Sequence, residues 1–454
     1  MTVFKTEIDS FGRVKIPSEA LWGSSTQRAL DNFPVSERRF PANFISALAL
    51  IKMFSAQSNF ELGLISKKAS SAIVKAARAI SQGEHLDQFP LDIFQTGSGT
   101  STNMNMNEVI AHLASHTIDI HPNDHVNKGQ SSNDIMPSAL YVASADAIKR
   151  SLIPALETLR NSLKKKSYQF RRVLKTGRTH LMDATPITLG QEFSGWTRQI
   201  ERCKGWIEED LQSLFELAIG GTAVGTAINT HPLFAKKVCE KLSAHYSIKF
   251  VPAKNFFEAI SSHGAALRVS GSLRTLAVSL TKIAEDIRLL ASGPRNGLAE
   301  IELPALQPGS SIMPGKVNPV IPEMVVQVAA QVIANDMAVA MGCKGGHLEL
   351  NTQLPLISSN LLESIEIISN ACTILASKCI DGIAAHEENC ARNIQMSLAL
   401  ATALVPKIGY AKAAEVSREA HRTGRSVREA ALSLLDISTE ELNALLEKYG
   451  LPGK

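Results

Sequence analysis

The 454-residue sequence has few aromatic residues (5%), only six cysteines and no strong excess of charge of either sign. Its formal net charge at pH 7 is +4, so we predict neither a nucleic-acid partner nor a strongly charged surface. The cysteines form no C-x-x-C pair, and their spacings suit neither zinc nor an iron–sulfur cluster. We therefore expect reduced, mostly buried thiols in a cytoplasmic protein without a metal centre.

Signals for export and for membrane insertion are also scarce. The first residues lack both the apolar core of a signal peptide and the Arg-rich pattern of a transit peptide. The most apolar stretch, 325–341, carries Gln327, Gln331 and Asn335 at helical i, i+4, i+8 spacing, together with Asp336. A membrane span rarely carries such a polar stripe and an aspartate. This stretch predicts a helix buried inside a large helical assembly, with no membrane partner.

Helical periodicity dominates the middle of the chain and is clearest at 273–291. One face of this stretch is apolar: Leu273, Leu276, Ala277, Leu280, Ile283, Ala284, Ile287 and Leu290. Such spacing is typical of a long bundle helix with a narrow apolar seam. The segments 138–174, 187–219 and 359–381 follow similar patterns. Strand signals are weak, and only 5–15 suggests a small hairpin.

The sequence therefore predicts a mainly α protein of three segments. Residues 1–130 form an N-terminal mixed, mostly helical domain, 131–387 a central helical bundle, and 388–454 a small C-terminal helical domain. Polar residues, glycine and proline gather in four predicted loops, and these carry most of the candidate chemistry. The four loops are 95–107, 121–137, 176–190 and 292–323.

The first loop combines glycines with the neutral donors Ser98, Thr100 and Asn103. Exposed backbone N–H groups beside such donors can hold a carboxylate. A P-loop is excluded because no Gly-Lys-Ser/Thr follows. A capped loop that merely enters a helix remains an alternative.

The second loop holds two candidate features. Ser131, Ser132 and Asn133 resemble a further anion-binding turn. His121 and His125 lie four residues apart, which on a helix could bind a metal, but the intervening Pro-Asn favours a loop. We therefore predict no metal here.

The third loop places Arg178, Thr179 and His180 before a long helix. His180 is either a catalytic residue or a satisfied polar residue, and spacing alone leaves both possibilities open. The glycine run 220–226 lacks the strand context of a dinucleotide site, so we interpret it as a turn and packing element.

The fourth loop is the most informative, because 309–319 reads Gly-Ser-Ser-Ile-Met-Pro-Gly-Lys-Val-Asn-Pro. Loops with this much fixed polar chemistry usually handle an anion. Glu323 follows in the first turn of the apolar helix, where the helix dipole favours a charged carboxylate. Such a carboxylate could orient an imidazole.

Together these motifs resemble those of the fumarase/aspartase superfamily. The string 309–319, Thr-Gly-Ser-Gly-Thr at 96–100, Ser-Ser-Asn at 131–133, Gly-Arg-Thr-His at 177–180 and His-Pro-Asn-Asp at 121–124 look most like a class II fumarase. The resemblance implies three mainly helical domains, the middle one a long five-helix bundle. Four bundles would form a twenty-helix core in a homotetramer, with each active site shared by three subunits.

The activity implied by the resemblance is reversible hydration of fumarate to (S)-malate in the tricarboxylic acid cycle, with small dicarboxylates as partners and no cofactor. Aspartate ammonia-lyase or another lyase of the superfamily is the alternative, because Val-Ile-Pro-Glu at 320–323 reads more like an aspartase. A non-catalytic protein of this fold would be favoured by loss of Ser310, Lys316 or His180, and all three are present.

The resemblance also implies roles for individual residues. The catalytic set would be His180, Ser310, Glu323 and Lys316. The substrate-binding set would be Ser98, Gly99, Thr100, Ser131, Ser132, Asn133, Thr179, Ser311, Lys316, Val317 and Asn318. A secondary dicarboxylate site would comprise His121, Pro122, Asn123 and Asp124. Spacing does not decide whether Ser310 or Ser311 is the base.

Overall fold

The computed structural model describes residues 3–116 and 118–447, and helices predominate among them. The α-helices of this part of the chain are α1 Ser24–Asn32, α2 Ala42–Glu61, α3 Lys67–Ser81, α4 Thr100–Ala114, α5 Ser132–Ala147, α6 Ile153–Gln169, α7 Leu189–Leu211, α8 Phe234–Tyr246, α9 Phe256–Ser261, α10 Gly264–Leu290, α11 Val320–Lys344, α12 Leu354–Lys378, α13 Glu387–Met396, α14 Val405–Ile408, α15 Tyr410–Thr423, α16 Val427–Leu434 and α17 Thr439–Glu447. The mainly α fold class is thus confirmed.

The strands are short and pair two by two. They are β1 Phe4–Asp9, β2 Gly12–Pro17, β3 Leu174–Thr179, β4 Met182–Thr188, β5 Glu216–Leu217, β6 Val251–Pro252, β7 Ile301–Glu302 and β8 Ala384–Ala385. The β1–β2, β3–β4 and β7–β8 pairs are antiparallel, and β5–β6 is parallel. The predicted hairpin within 5–15 is confirmed as β1–β2.

Contacts divide the chain into two compact units, each built from three separate segments. The first unit comprises Met1–Pro154, Cys203–Ala277 and Ala329–Ser369, and the second Ala155–Arg202, Val278–Val328 and Asn370–Lys454. The three-domain division predicted from the sequence stays a prediction. Residues 1, 2, 117 and 448–454, which that division includes, lie outside the described residues.

Burial follows the predicted helical periodicity closely in α10. All eight residues of the apolar face are at most 4% exposed, whereas Arg274, Lys282 and Arg288 on other faces remain accessible. In α2 the buried residues surround the helix, and they include Lys52. A helix that is apolar all round belongs to the interior.

The C-terminal helices of the second unit have their own apolar cluster. Its members come from the stretch that runs from α13 to α17, both helices included: Ile394, Leu400, Ala401, Ala403, Leu404, Ala413, Val416, Ala420, Val427, Ala430, Ala431, Leu442 and Leu446. Leu174, at the start of β3, packs against this cluster. The β3–β4 hairpin is therefore attached at its base to a well-packed core.

All four predicted loops contain some regular structure, so the loop predictions were wrong in part; 292–323 includes β7 and the start of α11. The 95–107 loop ends at Thr100, where α4 begins, because Asn103, Asn105 and Asn107 are fully buried. The 121–137 loop contains a π-helical turn, Pro122–Val126, and the start of α5. The 176–190 loop is mostly the β3–β4 hairpin.

Helix α11 is long and apolar enough, by length and composition, to cross a membrane, and it is the one described helix that passes this test. Core helices of soluble proteins pass the same test. Only 33% of its most apolar window is buried within the single chain. Ile333, Met337 and Met341 form an exposed apolar row at i, i+4, i+8 spacing.

Candidate active site

The first candidate segment, Ser98–Thr100, lies at the start of α4 in the first unit. Gly97 cannot be replaced without a rearrangement, since a Cβ there would lie 2.1 Å from the carbonyl oxygen of Thr352. Gly99 has φ +74° and leads into α4. The Ser98 and Thr100 hydroxyl oxygens lie 2.8 Å apart. The backbone thus fixes two neighbouring hydroxyl groups.

The second segment, Ser131–Asn133, begins α5 with a capping box. The Asn133 N–H donates to Ser131 Oγ at 3.2 Å, and the Ser131 N–H donates to Asp134 Oδ1 at 2.9 Å. Asn103 Nδ2 donates to Ser132 Oγ at 3.0 Å, which ties α4 to this turn. The turn is therefore rigid before any ligand binds.

The structure brings Thr100 of the first segment and the whole second segment to one cavity of about 420 Å³, which Ser98 and Gly99 do not line. Thr100, Ser131, Ser132 and Asn133 all line it, so this part of the predicted binding set converges. Sequence reasoning missed the contribution of Thr222, which also lines the cavity. Thr222 lies in the glycine run 220–226, and the interpretation of that run as only a turn and packing element was therefore incomplete.

The predicted secondary site, His121–Asp124, forms a tight turn of its own. His121 Nδ1 accepts the N–H groups of Asn123 and Asp124 at 3.3 and 3.2 Å, and His125 Nδ1 accepts the His121 N–H at 2.9 Å. Asp124 Oδ2 also lies 3.2 Å from His121 Nδ1, but a nitrogen that accepts two amides cannot donate there as well. Both imidazoles thus use Nδ1 to cap backbone N–H groups of this turn.

In the second unit, His180 occupies the tip of the β3–β4 hairpin. Thr179 pairs with Met182, so His180 and Leu181 are the two turn residues, with φ +57° and +62°. Two-residue turns with positive φ normally favour Asn or Gly. A histidine held in this conformation is a strained residue that the surrounding structure must enforce. The His180 side chain is exposed and has no hydrogen-bond partner among the described residues.

A buried ion cluster supports the hairpin below this tip. Glu300 is fully buried, and its carboxylate lies 3.1 Å from Lys175 Nζ and 2.8 Å from Arg178 Nη1. Lys175 also contacts Glu192 at 2.9 Å. A Cβ at Gly177, between the two cations, would lie 2.6 Å from the Thr185 carbonyl oxygen, so the strands can approach only at glycine. The cluster and this close approach fix the base of the His180 turn.

The loop 309–319 is held by local contacts. Ser310 Oγ accepts the N–H groups of Ile312 and Met313 at 3.2 and 2.9 Å, and Asn318 Nδ2 donates to the Gly309 carbonyl at 2.5 Å. Two amides directed at one hydroxyl oxygen favour negative charge on it. Within the described residues, the Lys316 side chain makes no hydrogen bond or ion pair, and Ser311 and Val317 are exposed.

Glu323 lies in the first turn of α11, as predicted, but no contact with His180 is present in the single chain as described. Its carboxylate instead lies 4.0 Å from Arg288 Nη2. Within the second unit, His180 likewise forms no hydrogen bond with Ser310. The pairing of His180 with Glu323 thus stays a prediction that requires another subunit.

This helical fold, with hydroxyl- and amide-bearing turns around a neutral cavity, matches a class of lyases. Residues 12–334 match a family model described as Lyase, and residues 400–451 match one described as Fumarase C C-terminus. The chain is 47% identical to the class II fumarate hydratase of Nitrosomonas europaea over 98% of each chain. It is 49% identical to that of Mycobacterium tuberculosis over 94% of this chain and 91% of the relative.

Solved structures agree with these sequence matches. The class II fumarase of Schistosoma mansoni superimposes with a TM-score of 0.96 at 39% identity, covering 99% of each chain. The chain belongs to the class II fumarate hydratase family.

Proposed function

We propose that the chain catalyses the reversible hydration of fumarate to (S)-malate, as a hydro-lyase of the tricarboxylic acid cycle. The observation that carries this proposal is the match to class II fumarate hydratases over nearly the whole of both chains. The neutral cavity at Thr100 and Ser131–Asn133 supports it, because hydroxyl and amide donors can hold a carboxylate without a contact ion pair.

The reaction removes a weakly acidic proton from C3 of malate, next to a carboxylate. That carboxylate then carries extra negative charge as an aci-carboxylate intermediate, which fixed donors must stabilise. Lys316 and Asn318 suit this role, assisted by Thr179 and the backbone near Ser311. Ser310 would take the proton, and its hydroxyl oxygen already accepts two backbone N–H groups that favour its ionised form.

The hydroxyl group of malate must leave from the opposite side as water. His180, oriented by Glu323 and acting with a water molecule, would donate the proton that this step needs. Ser98, Gly99, Thr100, Ser131, Ser132 and Asn133 would hold the carboxylates in place. Fixed positioning of this kind can supply several kcal/mol of barrier reduction.

A homotetramer with sites shared by three subunits is part of the proposal. The apolar row Ile333, Met337 and Met341 on α11 supports it, since a soluble chain rarely leaves such a row uncovered. A cytoplasmic location is proposed because the six cysteines are free and five are buried, as suits a reducing compartment. The secondary dicarboxylate site at His121–Asp124 remains a proposal as well.

A substrate panel tests the function. Purified protein from a host without its own fumarases should produce the ultraviolet absorbance of fumarate from (S)-malate, and far less from aspartate. The variant Ser310→Ala/His180→Asn, prepared identically, controls for contaminating enzyme. Production of fumarate and ammonia from aspartate alone would instead establish the ammonia-lyase alternative, which the relatives do not favour.

A further inference from the structure

A lysine lies fully buried in α2 of the first unit, behind the cavity proposed to bind a carboxylate. Lys52 Nζ donates to Asn127 Oδ1 at 2.8 Å and to Gln130 Oε1 at 3.0 Å. Burial lowers the pKa of Lys52 to about 7, although the charge of Asp134 acts in the opposite direction. A buried ammonium group is costly unless polar groups compensate it, so its retention here requires an explanation.

The partners of Lys52 are neutral amides rather than a carboxylate. Asp134, the acidic group that opposes the lowering of the Lys52 pKa, uses both oxygens elsewhere: Oδ1 accepts the Ser131 N–H, and Oδ2 accepts those of Gly220 and Thr222. No salt bridge within 4.0 Å involves Lys52 among the described residues. The protonated form of Lys52 is therefore held in the interior without a directly contacting counter-ion.

Both amides that bind Lys52 also line the 420 Å³ cavity. Asn127 Oδ1 accepts a second hydrogen bond from Asn103 Nδ2 at 3.3 Å, and the same Asn103 group donates to Ser132 Oγ at 3.0 Å. The lining of this cavity, as described, contains no charged residue. Lys52 thus lies one layer of side chains behind an otherwise neutral set of donors.

We propose that Lys52 is a positioning residue that supplies the positive charge for carboxylate binding in this cavity, acting through Asn127 and Gln130. A carboxylate at Ser131–Asn133 meets only neutral donors of this chain. It also experiences the field of the buried Lys52 cation, which bulk water does not screen and which the buried Asp134 carboxylate partly offsets. The connection to the turn runs through Asn127 Oδ1, which accepts hydrogen bonds from both Lys52 and Asn103, while Asn103 also donates to Ser132 Oγ. This inference rests on the proposed function, since it assigns the source of affinity for that substrate class.

The experiment measures binding of succinate, an unreactive C4 dicarboxylate, by calorimetry, alongside steady-state kinetics with malate. Lys52→Met should weaken succinate binding by about tenfold or more, because the interior next to the cavity loses its positive charge. It should raise KM for malate by a similar factor and change kcat less. Lys52→Arg should restore most of the affinity, since it keeps the charge.

Lys166→Met is the matched control. Lys166 is also buried, and its Nζ donates to the Ile383 carbonyl at 2.7 Å in the second unit. This variant should lower Tm without changing succinate affinity. If Lys52→Met does not fold, Lys52→Gln serves instead, since it keeps an N–H donor and removes the charge.

The inference would be overturned if a folded variant without the Lys52 charge bound succinate as tightly as the wild-type protein does. Normal turnover of malate by that variant would not change this conclusion. Absence of turnover in the wild-type protein would contradict the proposed function instead. In that case the succinate measurements would still decide whether Lys52 acts on a bound dicarboxylate.

Discussion

Two serine-bearing segments of the candidate site, Ser131–Asn133 and 309–319, are held in opposite ways. The turn at Ser131–Asn133 is fixed by residues far away in the sequence, such as Gly220 and Asn103, and Ser132 is buried. The loop 309–319 makes its side-chain hydrogen bonds within itself, and 311–317 are exposed. The first segment is formed before ligand arrives, whereas the second can change its conformation at low cost.

The two segments have different roles in the proposed reaction, and each is held in the way that its role requires. Groups that bind a carboxylate gain from rigidity, because no ordering is needed when the substrate arrives. A base such as Ser310 has to be shielded from water after the substrate enters, which a locally held loop can do by closing. The His180 hairpin resembles the Ser131–Asn133 turn, because it too is held by a residue far away in the sequence: buried Glu300 pairs with Lys175 and Arg178 of β3.

The largest expected effect comes from Ser310→Ala, which tests the role of the locally held loop. It should lower kcat by about 100- to 10,000-fold, because the base is lost while the binding cavity stays intact. Succinate affinity and Tm should stay near those of the wild type. Single-turnover kinetics with malate would measure the chemical step directly. Near-normal kcat would remove Ser310 from the mechanism and leave Ser311 to be tested in the same way.

Glu300→Gln tests the rigid support of the hairpin. It should destabilise the protein by about 3 to 5 kcal/mol, because Arg178 would lose its ion-pair partner and the buried Lys175 would keep only Glu192. It should also lower kcat, since the His180 turn would lose its fixed base. Urea denaturation and malate kinetics would measure the two effects.

The matched control for this variant is Glu441→Gln, which breaks an exposed pair with Lys407 in the same unit. It should leave both Tm and kcat unchanged. If Glu300→Gln were as harmless as this control, the buried cluster would not be what holds the hairpin.

The smallest structural effect is expected from His180→Asn. This variant distinguishes the chemical role of the imidazole from the backbone strain at residue 180. Asn tolerates a φ near +57°, so Tm should not fall, while kcat should drop by about 100-fold through loss of the imidazole. His180→Val should additionally lower Tm, because a β-branched residue is strained there. A thermal melt of both variants would distinguish the effects. Equal Tm values would show that the turn tolerates any side chain.

The sequence predicted the long helices well because their burial follows a simple period. It failed at α4, where Asn103, Asn105 and Asn107 read as a polar loop although they are fully buried. The Asn105 amide, for example, donates to the Gln88 carbonyl, a partner that no local pattern reveals. The β3–β4 hairpin was missed for a related reason: its inward residues Lys175 and Arg178 pair with Glu300, more than a hundred residues away.

The candidate site shows the same limit. The Ser131–Asn133 turn and the 309–319 loop could be recognised from their own residues, because their polar chemistry is continuous in the sequence. Lys52 could not, since it lies within an apolar helix and its partners Asn127 and Gln130 belong to a different segment. The spacing of residues within one stretch of sequence cannot reveal a charged residue that acts on that stretch from elsewhere in the chain.

The segmental construction of the first unit also constrains synthesis of the protein. Its last segment ends at Ser369, so a growing chain cannot complete this unit until about four-fifths of its 454 residues have been made. Until then, apolar residues such as Leu48 and Ile51 of α2, which are fully buried in the finished protein, lack part of their covering. Nascent chains would therefore depend on chaperones during this interval, and a ribosome stalled before codon 369 would hold an aggregation-prone intermediate.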